Sequence, residues 1–392
     1  MTSFVANHGY LDGLLRGYRS GLLTAADYAN LTQCETVDDM KVHLMNTDYA
    51  NVFQDLPSPL TTQSIAEACT RKMVEDFQSL RQPALEPLAK FLDYITYGYM
   101  IDNIVLILSE TLHERGTENP AGDTQALLDR CHPLGLFEGI TALCVAQTPA
   151  ELYHLVLVNS PLAKYFLATL SMENLDEMHV EVIRNLLYKE YLKDFFRFCQ
   201  QLGEPTSESM GDILKFEADR RSINITVNSW RMQALSKPWG HQSIQLTRFR
   251  ASHLLGVCPV QPTRPDRRLP PPSLPQDDRQ RIYPTFGELW PEGTSKLQDA
   301  VDMDGLRAAV DSVEAYRDVL QQQNENPDKT IEDCFFEKEV QNCLLAFESH
   351  YSYGAFYAYF RLKEQETRNI VWIAECIAQN KRDRINHFTP TI

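Results

Sequence analysis

Cys131 and His132 are neighbours in the chain, and a thiol beside an imidazole is the raw material of a nucleophile and its base. Adjacent residues on a helix or turn rarely face each other, and such a pair also needs a third group to orient it. Pro133 follows directly, so the pair reads as a turn. Two acid pairs come next, Glu217 with Asp219 and Glu364 with Glu366. Carboxylates two residues apart on a helix point to different faces, which disfavours joint acid–base work on one substrate. Arg220, Arg221 and Arg368 lie beside them, so intramolecular ion pairs are the plain reading. The phosphate-cradling GxxxxGK[ST] loop, HExxH and GxSxG are all absent. Nine cysteines, at 34, 69, 131, 144, 199, 258, 334, 343 and 376, form no CxxC and no zinc spacing with histidine. Their odd number and irregular spacing suit reduced thiols; Cys34 with Cys343 would pair only if the two ends of the chain met. No metal, cofactor or covalent catalysis is expected.

The candidate carboxylates sit on predicted helices. Residues 362–380 place Ile370, Ile373, Ala374, Ile377 and Ala378 at three- and four-residue steps, which makes an apolar face. Lys363, Glu364, Glu366 and Arg368 crowd the first half, and the simplest expectation is a core helix with a solvated edge. Segments 97–108 and 214–227 echo this one. In each, polar residues precede an Asn-Ile pair (Asn103, Asn224, Asn369) and an apolar run. Three such helices, far apart in the chain, suggest a threefold internal repeat.

The rest of the chain also reads as helix. Gly9, Gly13, Gly17 and Gly21 share one face of a first helix. Interior glycine costs about 1 kcal/mol against alanine, so a close-packed backbone is expected there. Gly21 ends that helix. Thr24 and Thr36 cap the next two, with Asp39 in capping-box position. Residues 64–81 put Ile65, Cys69, Met73, Phe77 and Leu80 on one side, and 84–115 are helical with a bend at Gly98. A polar loop covers 116–123. Thr148-Pro149 starts a helix, and 175–202 is a long one with core aromatics, ending at Gly203. After a helix at 207–235 and a turn-rich stretch at 283–293, Thr330 caps a further helix. No alternating strand pattern of useful length appears, so the fold class is all-α.

A net charge of −16 argues against a nucleic-acid binder and against broad adhesion to anionic lipid. The N-terminus lacks a signal-peptide pattern, and no apolar run, the longest being near 104–108 and 370–374, approaches the length of a membrane helix. Residues 238–276 stand apart. They hold eight prolines, five arginines and one acid, Asp266, for a charge of 5 − 1 = +4. That composition has no helical or strand period and is expected to be disordered. It is either a functional basic arm or a retained coding segment.

KEQETRNIVWIAECIAQ at 363–379 resembles the C-terminal signature of the subunit d family of V-type proton ATPases, to which the C subunits of archaeal and bacterial relatives also belong. The segments at 9–36, 131–135 (CHPLG), 146–153 (AQTPAELY), 175–192 and 216–229 (FEADRRSINITVNS) resemble further signatures. The likeness covers nearly the whole chain except the basic segment, where the family runs from the equivalent of Lys237 into that of Asp278. It implies a non-catalytic, funnel-like body of three related helical parts around a central cavity. Those parts are 1–130, 131–235 and 278–392, with 236–277 as the insert. It implies a place on the cytosolic face of the vacuolar or other endomembrane. The implied partners are the proteolipid c-ring, the D and F subunits of the central stalk, and the membrane-sector a subunit, with membrane contact only through them. Glu217, Asp219, Arg220, Arg221, Glu364, Glu366 and Arg368 are the candidates for partner contact or for lining the cavity. A helical scaffold unrelated to the pump is the rival reading. An enzyme with an unfamiliar helical site would instead need a pocket with converging titratable groups.

Overall fold

A computed structural model describes residues 2–114, 124–171, 180–235, 276–325, 329 and 331–392. Among them every long element is a helix and none is a strand, which makes the protein all-α. The 116–123 loop, the start of the 175–202 helix, Thr330 and nearly all of the basic segment, Cys258 included, lie outside the described residues.

The chain forms two compact units. The first joins residues 1–92, 202–213 and 321–392, and the second joins 93–201 and 214–320. In the first unit, helix Gly354–Ala378 is central and packs against Ile331–Glu348, Thr62–Arg81 and the N-terminal helices. The predicted apolar face forms as expected at Ile370, Ile373, Ala374 and Ile377, while Ala378 is exposed. Met40, Leu44, Tyr49, Phe53, Ile65 and Cys69 close the core around it. Burying side chains of this size contributes about 1.5–3 kcal/mol each, which outweighs the weak propensity of such short helices. Thr24 and Thr36 cap Ala25–Gln33 and Val37–Leu44 with full capping boxes through Asp27 and Asp39.

The same helix departs from the solvated-edge expectation. Lys363 and Glu366 are both fully buried and paired at 2.8 Å. The backbone N–H of Leu23 and the hydroxyl of Tyr49 both donate to Glu366, which compensates for its loss of water. One turn on, Asn369 donates to Tyr28 and to the Thr389 carbonyl. The side chain of Thr391, also buried, meets the Tyr28 hydroxyl, so the last residues are held against the helix that starts at Ala25.

Two other expectations are corrected. The first helix runs Thr2–Ser20 and stops before Gly21, yet a Cβ at Gly13 or Gly17 would meet nothing within 4 Å. The helix instead turns Leu11 and Leu15 inward, so Gly13 and Gly17 are on its outer side, and Gly21, just past its end, lies close to a neighbour, Asp48, which a Cβ would meet at 3.1 Å. Helix Leu88–Glu114 holds a stretch, Leu88–Thr111, in which an 18-residue window reaches a mean hydropathy of 1.3, enough by length and composition to cross a membrane. Tyr, Thr and Asn interrupt its apolar run, which hides it from a search for unbroken hydrophobicity. Of that window 83% is buried, as in a core helix.

The second unit is aromatic. Tyr94 stacks on Phe195 at 5.1 Å and on Phe198 at 4.8 Å. Asp194 accepts from Lys164, Tyr165 and Tyr94, and so ties helix Ala163–Thr169 to helix Val180–Leu202. Gly203, at φ +74°, follows that long helix in the left-handed conformation that glycine tolerates.

Candidate functional site

Each of the three echo helices carries one buried carboxylate: Asp102 in Leu88–Glu114, Asp219 in Thr206–Leu235 and Glu366 in Gly354–Ala378. Each accepts a hydrogen bond from a tyrosine of another element. Tyr188 reaches Asp102 at 2.8 Å, Tyr316 reaches Asp219 at 2.6 Å and Tyr49 reaches Glu366 at 2.7 Å. The other partners differ. Arg184 pairs with Asp102 and Lys363 with Glu366. Among the described residues Asp219 receives only neutral donors, the backbone N–H groups of Glu288 and Leu289 besides Tyr316.

Electrostatics follow those partners. Burial raises the pKa of Asp102, opposed by the Arg184 charge and the Tyr188 hydrogen bond. Burial pushes Asp219 up to about 7, against the pull of its three donors. The loop around Asp219 is built for this contact. Gly287 has φ +127°, and a Cβ there would collide with the Asp219 carboxylate. Glycine is therefore required by both conformation and space.

The seven candidates thus separate. Glu217 binds Arg220 and Arg221 and is buried with Arg220, while Arg221 also covers the Tyr188 ring at 3.4 Å. Glu364 binds Arg361 at 2.6 Å and Arg368 at 3.8 Å, and all three are partly exposed. Arg368 also lies over Phe336. Within each acid pair the two carboxylates serve different partners, as their i, i+2 spacing predicted. Asp219 and Glu366 lie inside their units, so of the seven only Arg221, Glu364 and Arg368 present exposed surface of any size.

Cys131 and His132 are structural. His132 Nδ1 accepts from the Leu134 N–H, its backbone pairs twice with the Asn103 side chain, and its ring stacks on Tyr99 at 4.3 Å. Burial takes His132 down to about 3 and the Cys131 thiol up to about 12, which suits neither a base nor a nucleophile at neutral pH. Cys34 and Cys343 are both free thiols. Among the described residues no three His, Cys, Asp or Glu side chains gather as a metal site would require. Sequence reasoning missed Asp102, Lys363 and the three tyrosines. Asp102 left a usable signal, as a lone acid inside an apolar run.

These carboxylates hold helices together, and the class so defined is an all-helical protein whose buried charges are architectural. The chain belongs to the family described as the ATP synthase (C/AC39) subunit, whose profile matches residues 11–255 and 267–388. The break at 256–266 falls inside the basic segment. The chain is 46% identical over 388 residues to V-type proton ATPase subunit d of Dictyostelium discoideum, covering 99% of this chain and 96% of the relative. It is 43% identical over 384 residues to V-type proton ATPase subunit d1 of Arabidopsis thaliana, covering 98% and 96%. To V-type proton ATPase subunit d of Saccharomyces cerevisiae it is 39% identical over 388 residues, covering 98% and 97%. Subunit d is an accessory subunit, not the catalytic one.

Proposed function

We propose that this chain is a non-catalytic subunit of a V-type proton ATPase in endomembranes. It couples rotation of the central stalk, driven by ATP hydrolysis, to the proteolipid ring that carries protons. The observation that carries this reading is 46% identity over nearly the full length of a relative so named. The ring, the D and F subunits of the stalk, and the membrane-sector a subunit are its proposed partners, on the cytosolic face of the membrane. A part that transmits torque needs a densely packed interior, because close-packed cores pass strain on. The buried ion pairs and stacked aromatics of both units are of that kind. We also infer that residues 1–130, 131–235 and 278–392 are three related parts. The carboxylate–tyrosine contact found once on each echo helix supports that division.

Among the candidate residues, Arg221, Glu364 and Arg368 would meet partners, while Glu217, Asp219, Arg220 and Glu366 would hold the surface that does so. Affinity capture of the intact protein from detergent-solubilised membranes tests the reading. Proteolipid and central-stalk subunits are expected with it, and their absence would favour an unrelated helical scaffold. Glu364→Lys with Arg368→Glu keeps the local charge balance but reverses its sense. Unchanged assembly and unchanged coupled pumping in that variant would remove those two residues from the interface.

A further inference from the structure

Described residues on either side of the basic segment meet at one backbone carbonyl of the second unit. Trp230, shortly before it, donates its indole N–H to the Ala300 carbonyl at 3.0 Å, and Arg279, shortly after it, donates to the same oxygen at 2.9 Å. Arg279 is 1% exposed and also donates to the Gln298 carbonyl. The described residues that flank the segment, Trp230 and Arg279, therefore both sit beside residues 298–300.

The surface around those flanking residues has a charge opposite to the segment's. Residues 288–314 hold seven acids, all exposed, against Lys296 and Arg307, for a charge of 2 − 7 = −5, with Glu288 already paired to Lys215 at 2.9 Å. Helix Glu292–Asp299 packs against both Gln276–Ile282 and Met303–Asp311, so one small block carries Glu292, Asp299, Asp302 and Asp304. Two exposed apolar side chains sit among these acids, Trp290 at 47% and Val301 at 70%. Trp290 follows the loop that Asp219 holds through Glu288 and Leu289.

We propose that this acidic, aromatic face is the docking surface for the chain's own segment 238–276. Its five arginines meet the exposed carboxylates, and its proline runs and arginines lie on the Trp290 indole. Proline-rich strands favour aromatic grooves, and guanidinium groups favour indole faces. Charges of +4 and −5 are matched in size, and the flanking Trp230 and Arg279 are held at the face, which keeps the local concentration of the arm high. A single exposed ion pair contributes little, and the effect needs the whole set. The inference concerns this chain alone and does not depend on assembly with any pump.

Trypsin cleavage at the arm's own arginines reads the contact in the intact protein. In about 20 mM salt, Glu292→Lys/Asp304→Lys/Asp311→Lys is expected to be cut at Arg248–Arg268 about tenfold faster than the parent, equivalent to losing ~1.4 kcal/mol of docking. Trp290→Ala should give a smaller rise. Raising salt to about 0.5 M should speed cleavage of the parent but not of the reversed variant, since exposed charges are then screened. Arg264→Glu/Arg267→Glu/Arg268→Glu alters only the arm and leaves the folded face intact. Cleavage at its remaining Arg248 and Arg250 should also be faster. Equal rates at those sites in the parent and both reversed variants overturn the proposal, and leave the arm for an outside partner or for none.

Discussion

Glu366 and Asp219 are both fully buried, both accept from a tyrosine and both sit on long helices, yet they are stabilised in different ways. Glu366 faces an ammonium group, Lys363, itself 0% exposed and lying 4.0 Å over the Tyr49 ring. Asp219 faces no cation among its hydrogen-bond partners and relies on two amides and a hydroxyl. A buried ion pair is a mutual commitment, because removing one member strands a charge in a medium that cannot solvate it. A carboxylate held by neutral donors can take a proton instead. The first arrangement should be sensitive to mutation, and the second to pH.

The largest expected effect comes from Glu366→Gln. It leaves Lys363 charged and buried, and should cost about 3–5 kcal/mol in chemical denaturation. Lys363→Met combined with Glu366→Gln should recover most of that loss. A single-variant cost under about 1 kcal/mol would break the contrast, since stranded buried charges cost several times more. Next is Asp219→Ala, which removes the acceptor from two amides and Tyr316, at about 2–3 kcal/mol. Gly287→Ala should also destabilise, and should cost less in the Asp219→Ala background because the collision is gone.

The third prediction is the pH test. A free aspartate titrates near 3.9, whereas Asp219 in the fold titrates at about 7. Below about pH 4 both states hold the proton, so the group has no effect on the slope. Between about 4 and 7 only the folded state holds it, and stability falls as pH rises, by up to ~1.4 kcal/mol per unit from this group. Above about 7 the slope from this group vanishes again. Subtracting the pH–stability curve of Asp219→Ala from that of the parent should isolate this window. A flat difference would mean that the three donors balance burial, and a slope of opposite sign below about pH 4 that they outweigh it. The smallest effect is expected at the surface of the same loop. There Lys215 and Glu288 pair at 2.9 Å, with each side chain more than a third exposed, and Lys215→Ala should cost under about 1 kcal/mol in denaturant melts.

The sequence made much of this legible wherever the signal was periodic or local. Thr24 and Thr36 were readable as caps, because a capping box lies within four residues. The apolar row from Ile370 to Ile377 was readable because helical spacing alone defines it. Lys363 was not. A lysine on a charged helical turn looks solvated until the N-terminal segment brings Leu23 and Tyr49 over it, more than 300 residues away in sequence. Tyr188, Tyr316 and Tyr49 were illegible as carboxylate partners for the same reason. The glycine row misled in the other direction, since spacing shows that residues share a face but not which way the face turns.

The first unit is assembled from both ends of the chain, with Tyr28 against Thr391 and Asn369 against Thr389. This gives synthesis on the ribosome a fixed order. The helices of the first 92 residues emerge early but lack their central helix, and must wait through some 260 further residues for it. The aromatic unit is complete by residue 320 and has no such wait. A nascent chain halted near residue 350 should therefore present a protease-resistant second unit beside an N-terminal segment that is still cleavable.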